Sequence, residues 1–428
     1  MMATSLARAL AARHIHYGWM MVLLALGYSI CSTAALAIPG VLLLPISQEL
    51  GWSIGELSGP LGLRMTLFGL VAPFAGGLML RYGPRAVLTA SAGLLIGGLL
   101  LSLVMTTRWE LWLSLGMILG IAPGMTALVL AATIATRWFT QRRGLVLGIL
   151  SAGNATGQLI FLPPAAWLAE HYGWRAALIP PIAMIALLGL MFAIFARDRP
   201  ADLGLAPYGD DGAPASLSPA GNPFVISIKA LITASGSLTF WVLAFTFFVC
   251  GVSSFGLMPH FVTLCGDFGI GPIVSTSLLA LIGVCDLIGT IGSGWLSDRY
   301  DNRWLLAWYY GLRGLALIWL PYSGFSMVGL SLFAVFYGLD FIATVPPSVR
   351  LTAKAFGREQ APIVFGWIFA AHQLGAGVMA FGAGATRDAL ASYLPAFLAA
   401  GLLCLLATLS LGLLRGSVGT ARPIGQSA

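Results

Sequence analysis

Eight side chains that can carry charge, move a proton or hydrogen-bond a ligand interrupt long apolar runs: Arg64, Asn154, Gln158, Asp286, Arg313, Asp340, His372 and Gln373. In a hydrocarbon setting an ionised group costs at least ~2.5 to 3.5 kcal/mol on insertion scales, so each one needs either a partner or a task. Asp286 and His372 can change charge at usable pH once desolvated, which is the chemistry of a proton site. Asp286 lies ~18 Å along its run at 1.5 Å per residue, close to the middle, and reads either as a proton or ligand site or as half of an ion pair. Arg313 sits mid-run and Asp340 deeper in the next run, so Arg313 is either the partner of an acid on the eighth or tenth run or a ligand contact. Arg64 falls near one end of its run, where a long side chain can snorkel to a lipid headgroup or serve as an anion anchor. Asn154 and Gln158 are four apart and share a helix face, while His372 and Gln373 occupy the Gly-rich segment GWIFAAHQLGAG. A lone intramembrane His or Asn is also a common interhelical hydrogen-bonding residue.

A second cluster is charged and compact. GWLSDRYDNR, Gly294 to Arg303, closes an apolar run and supplies Asp298, Arg299, Asp301 and Arg303. A weaker copy lies 218 positions earlier, where Gly76, Leu78, Arg81, Tyr82 and Arg85 match Gly294, Leu296, Arg299, Tyr300 and Arg303. The same shift superposes Gly120 on Gly338, Gly148 on Gly366, Gly157 on Gly375 and Asn154 on His372. One offset shared by so many landmarks implies a duplicated unit of a little over 200 residues. Among the positions where the copies differ, Leu80 stands where the second has Asp298.

The elements that must position these residues follow from composition. Hydrophobic residues are 58% and charged ones 9% of 428, against about 25% charged in a soluble domain. Most of the surface therefore faces lipid. Apolar runs long enough to span ~30 Å of hydrocarbon fall at 19–46, 57–80, 86–106, 111–136, 144–168 and 176–196, then 238–263, 274–297, 303–321, 326–349, 361–386 and 392–414. The expected architecture is an all-α integral membrane protein of twelve transmembrane helices in two pseudo-symmetric six-helix bundles, residues 18–196 and 237–415. Residues 1–17 are expected as a retained cytoplasmic start, 197–236 as a cytoplasmic linker with a flexible Pro/Gly/Ser-rich centre, and 416–428 as a cytoplasmic tail. Sixteen of the 22 Lys and Arg fall on one side, against Arg108, Arg175 and Arg387 on the other, with Arg64, Arg313 and Arg350 in or at the ends of runs. That asymmetry places the basic side in the cytoplasm and accounts for the +7 charge without nucleic acid. The five cysteines lie in or beside apolar runs without a CxxC pair, so neither a metal site nor a disulfide frame is expected. The glycines read as sites of close helix approach, and Pro123, Pro163, Pro164, Pro346 and Pro347 as bends. No P-loop, nucleophile triad or metal cluster is present, so neither an enzyme nor a cofactor is expected.

The Gly-x-Leu-x-Asp-Arg pattern at Gly294, followed by a basic residue, resembles the signature loop of the major facilitator superfamily. RWFTQRRGLVLGILSAGNATGQ from Arg137, HYGWR at His171 and RDRPADLGLAPYG from Arg197 resemble the bacterial members of its monocarboxylate-carrier branch. The resemblance implies secondary transport of a small carboxylate by alternating access, coupled to protons, in a monomer of the inner or plasma membrane. It implies a cavity lined by helices 1, 2, 4, 5, 7, 8, 10 and 11, with Asp286, Asn154 and His372 facing it. It also implies an inner gate at Arg81, Arg85, Asp298, Arg299 and Arg303, held by charge at helices 8 and 9 and mainly by packing at helices 2 and 3. Two positions depart from the animal carriers: their first-helix Lys is Gly40 here, and the Arg one turn beyond their eighth-helix Asp is Thr290. A drug or amphiphile exporter and a non-transporting sensor are the alternative readings.

Overall fold

A computed structural model describes residues 2–209, 222–357 and 360–414. The centre of the 197–236 linker, the tail from 415 and the side chains of Leu80, Asn154 and Gln158 lie outside the described residues. Twelve membrane helices run in order: α1 Gly18–Val41, α2 Ile54–Met79, α3 Arg81–Val104, α4 Arg108–Trp138, α5 Arg143–Tyr172, α6 Ala176–Phe195, α7 Leu238–Asp267, α8 Pro272–Ser297, α9 Asn302–Trp319, α10 Met327–Phe356, α11 Ala361–Leu390 and α12 Leu394–Leu414. Among the described residues ten of these are long and apolar enough to cross a membrane on length and composition alone, the other two being α5 and α9.

Local chemistry sets the helix starts. Ser53 and Glu56 form a reciprocal capping box at α2, with Glu56 N–H donating to Ser53 Oγ over 3.1 Å and Ser53 N–H to Glu56 Oε2 over 2.9 Å. Thr107 and Glu110 form the same box at α4. Asp301 and Ser326 cap α9 and α10. Each cap satisfies backbone donors that the first turn leaves open.

Glycine fixes how closely the helices approach. A Cβ at Gly120 would stand 2.8 Å from the Arg64 carbonyl oxygen, and one at Gly338 would stand 2.7 Å from that of Ile282. Both members of each pair are related by the 218-residue offset. Gly157 against Ile30 and Gly375 against Phe248 form a second pair of contacts related in the same way. The duplication read from the sequence is thus a duplication of packing: α1–α6 form one bundle and α7–α12 the other. The bundles meet where α2 packs on α11, α5 on α8 and α1 on α7.

The first helix of each three-helix unit is interrupted. α1 breaks at Leu42, α4 between Gly124 and Ala127, α7 between Ser253 and Met258, and α10 between Asp340 and Val345. α4 also carries a π-helical stretch at Trp112–Ile118. Irregular backbone at membrane depth is tolerated only where protein or a cavity satisfies it.

Both described ends of the linker are ordered against the bundles. Tyr208 packs against His16, Trp19 and Phe139 beneath the first bundle. Pro223–Ala234 forms a helix that bridges both bundles. Phe224 stacks on Phe74 of α2 at 5.5 Å, and Trp367 of α11 donates from Nε1 to the Ser227 carbonyl over 3.0 Å.

Candidate functional site

Between the bundles lies a cavity of about 70 Å³. It has room for about five water-sized groups, a space suited to a small solute. Its walls come from α1, α2, α5, α7, α8, α10 and α11, and α4 contributes no described lining residue. Phe68, Phe255 and Phe341 face it with other apolar groups, and Thr33 and Gln373 are its polar lining residues.

The buried charges are positioned by the interrupted helices. Asp286 of α8 is 3% exposed, and its Oδ1 accepts from Ile342 N–H over 2.8 Å and from Thr290 Oγ over 3.1 Å. Thr290, which stands where the resemblance expects a cation, therefore bonds the acid directly. Arg313 of α9 donates from Nε to Asp340 Oδ2 over 2.7 Å, and from Nη1 to Ser253 Oγ over 3.3 Å and Cys250 Sγ over 3.1 Å. Its Nη2 donates to the carbonyls of Asp340 and of Phe341, the latter over 3.0 Å. Ser293 of α8 donates to the Ala343 carbonyl over 2.5 Å. The non-helical stretch of α10 is thus held by side chains from α8 and α9, which answers the accounting demanded of backbone polar groups.

Arg64 is the opposite case. It is 0% exposed, and Nε, Nη1 and Nη2 have no hydrogen-bond partner. Snorkelling, one of its two sequence-based readings, is excluded by that burial. Phe68, one turn further along α2, and the adjacent Met65 both line the cavity. His372 is enclosed by Phe247, Phe255 and Phe369 with ring centroids 5.4, 5.6 and 5.8 Å away, and its Nδ1 has no partner. Gln373 lines the cavity with Oε1 unpartnered. Asn154 and Gln158 lie on α5, with their side chains outside the described residues.

At the basic end the expected pattern needs one correction. Asp298 pairs with Arg350 of α10, not with its neighbours on helix 9. Arg299 stacks over Trp295 at 4.0 Å, and Arg303 pairs with Asp301 at 2.7 Å and donates to the Leu414 carbonyl. These bonds all stay within the second bundle. In the first bundle an acid comes from elsewhere in the chain. Asp198 Oδ1 accepts from Arg85 N–H over 3.0 Å just past Gly83, Arg85 donates from its side chain to the Ala193 carbonyl, and Arg137 reaches the carbonyls of Asp198 and Met79. Arg81 lies over Tyr82 at 5.3 Å. A polar contact crosses between bundles at the other end, where Gly55 N–H at the start of α2 donates to Asp388 Oδ2 of α11 over 3.0 Å.

Sequence reasoning missed Asp198, Arg350, Asp388 and the Cys250–Ser253 contacts of Arg313. Signals were read for the breaks of α4 and α10, in Pro123 and in Pro346 and Pro347. Gly40, where the animal carriers have their first-helix Lys, is pressed against Pro259 Cα at 2.8 Å for an added Cβ, so a side chain there is sterically excluded.

Two bundles of six helices, related by a repeat and enclosing a small cavity with buried charges on its flanks, define a membrane carrier. The Major Facilitator Superfamily model matches residues 24–339 and 243–426, and the chain belongs to that family. It is 26% identical to monocarboxylate transporter 13 of Bos taurus and 28% identical to that of Rattus norvegicus, each alignment covering 90% of this chain and 86% of the relative. Among solved structures it superposes on a D-xylose-proton symporter with a TM-score of 0.74 at 14% identity, covering 92% of this chain and 97% of that one. It also superposes on a bacterial homologue of the human lysosomal transporter Spinster with a TM-score of 0.70 at 15% identity, covering 94% and 96%. The protein is a multi-pass membrane secondary transporter of a small molecule.

Proposed function

We propose that this transporter moves a small carboxylate together with a proton by alternating access of the central cavity, as a monomer in the inner or plasma membrane. The observation that supports this is the charge inventory of the core. Once Arg313 and Asp340 neutralise each other, Asp286 in the second bundle and Arg64 in the first are the Asp and the Arg left without an ion-pair partner among the described mid-membrane residues. Empty, these two charges balance. A bound carboxylate and a bound proton neutralise one each, so the fully loaded carrier is balanced as well. Either ligand alone leaves a net charge in a low-dielectric interior, a state disfavoured by several kcal/mol. Coupling follows from that penalty. His372, in its aromatic cage, is the second group able to take the proton, with Gln373 beside it on the cavity wall.

The test is uptake into proteoliposomes over labelled mono- and dicarboxylates, with and without a pH gradient. Carboxylate uptake driven by a proton gradient and abolished by an uncoupler is expected, and transport insensitive to both would refute proton linkage. The phenyl-rich lining favours one other reading, export of amphiphiles. That reading requires efflux of neutral or cationic amphiphiles to outrun carboxylate transport in the same vesicles. We further propose that the basic end, both termini and residues 197–236 face the cytoplasm. A cysteine at exposed Ala201 is then expected to resist an impermeant reagent in intact cells, and labelling from outside would invert the topology.

A further inference from the structure

We propose that Arg64 is the anion-binding residue and that the anion site belongs to the first bundle alone, so that opposite halves of the molecule take up the cargo's charge and the proton. The ligand class is a monoanionic carboxylate, and the proposal rests on the reading above that the cargo is an acid.

The rival cations are already committed. Arg313 uses Nε, Nη1 and Nη2 on Asp340, Cys250, Ser253 and two carbonyls, and it is on α9, which contributes no residue to the cavity lining. The two positions that supply cations in the resembled carriers are Gly40, closed by Pro259, and Thr290, bonded to Asp286. Arg64 remains, with five N–H donors in a planar fork suited to a carboxylate and no acceptor on any of its three nitrogens.

Its place in the repeat gives the second argument. The 218-residue offset puts Arg64 at the position of Ile282, and Asp286 at the position of Phe68. The equivalence is physical, because Gly120 packs on Arg64 as Gly338 packs on Ile282. Base and acid therefore stand one helical turn apart in the frame of the repeat, one in each bundle, and each corresponds to an apolar residue in the other bundle. Phe68 and Met65 carry the α2 wall from Arg64 into the cavity. The same glycine contact joins Arg64 to α4 just beyond its π-helical stretch, an irregularity often found at functional sites. A second carboxylate on the cargo would find no other uncommitted arginine or lysine among the described mid-membrane residues, which limits the ligand to one negative charge.

The test compares propionate, malonate and propionamide, which share three carbons and carry one, two and no negative charges. Tracer uptake is measured in liposomes containing wild type, Arg64→Gln or Arg64→Lys, and propionate-induced thermal shifts are measured on the same proteins in detergent. Wild type is expected to prefer propionate. Arg64→Gln is expected to lose propionate uptake and thermal shift by about 10- to 100-fold, the range for a hydrogen bond to a charged group, while propionamide flux falls much less. Arg64→Lys, with charge but no fork, is expected between the two. Propionate uptake and thermal shift within twofold of wild type in Arg64→Gln would overturn the Arg64 site but leave acid transport standing. Malonate carried as well as propionate by wild type would overturn the one-charge limit. Failure of wild type to carry or bind any carboxylate would overturn the functional reading, and the site with it.

Discussion

At the scale of single residues, two buried acids have different duties. Asp340 is bound to a guanidinium; Asp286 is bound only to a peptide N–H and a hydroxyl. An Asp286→Asn carrier keeps both hydrogen bonds available to its amide oxygen but can no longer exchange a proton. Gradient-driven uptake is expected to vanish while cargo exchange partly survives, as measured by counterflow in liposomes. Arg313 is the structural counterpart. Removing it alone leaves Asp340 unpaired and the carbonyls of Asp340 and Phe341 without a donor, at about 3 to 5 kcal/mol for breaking a buried pair. Arg313→Met is expected to lower the melting temperature in detergent sharply. Arg313→Met combined with Asp340→Asn is expected to recover part of the loss, because the stranded charge is gone.

At the scale of elements, the interrupted helices decide where side chains can act. Asp198 supplies a cap at the start of the helical run beyond Gly83, where φ is +81° and Pro84 follows. Replacing it by alanine is expected to cost about 0.5 to 2 kcal/mol, read as a lower melting temperature and as faster hydrogen exchange at the start of α3. The twelve runs were legible because a bilayer demands about 20 apolar residues per crossing, and most expected boundaries fall within a few residues of the observed helix ends. The α10 break was announced by Pro346 and Pro347. The α7 break at Ser254 to Leu257 was not read from the sequence, although Pro259 opens the helical stretch that follows it, and its geometry comes from packing on α11. Asp198 could not be found as the missing acid of the first repeat, because it lies over 100 positions from Arg85 in the chain. That Arg64 lacks a partner and Arg313 has several is likewise a three-dimensional fact, invisible to spacing.

At the scale of the whole molecule, charge joins the bundles at the end away from the basic residues. Asp388 of α11 caps α2 there through Gly55 N–H, and a carboxylate at a helix N-terminus is favoured by the exposed amides and the helix dipole. Asp388→Ala is expected to widen the distribution of distances between spin labels on that end of α2 and α11. Asp298→Asn loosens α8 from α10 within one bundle, and the distribution between bundles is expected to stay as it is in wild type. The reverse pattern would restore the inner clasp that the sequence alone suggested.

The bridging helix Pro223–Ala234 sets a bound on how the molecule moves. Its contacts reach α2 through Phe74 and α11 through Trp367, so rocking of one bundle against the other must either carry this helix as a passenger or peel it from one side. It behaves as a hinge pin laid across the seam. The seam is therefore expected to open more readily where α5 meets α8 than where α2 meets α11, which would make the path offered to the cargo lopsided even though the two halves are copies of one design.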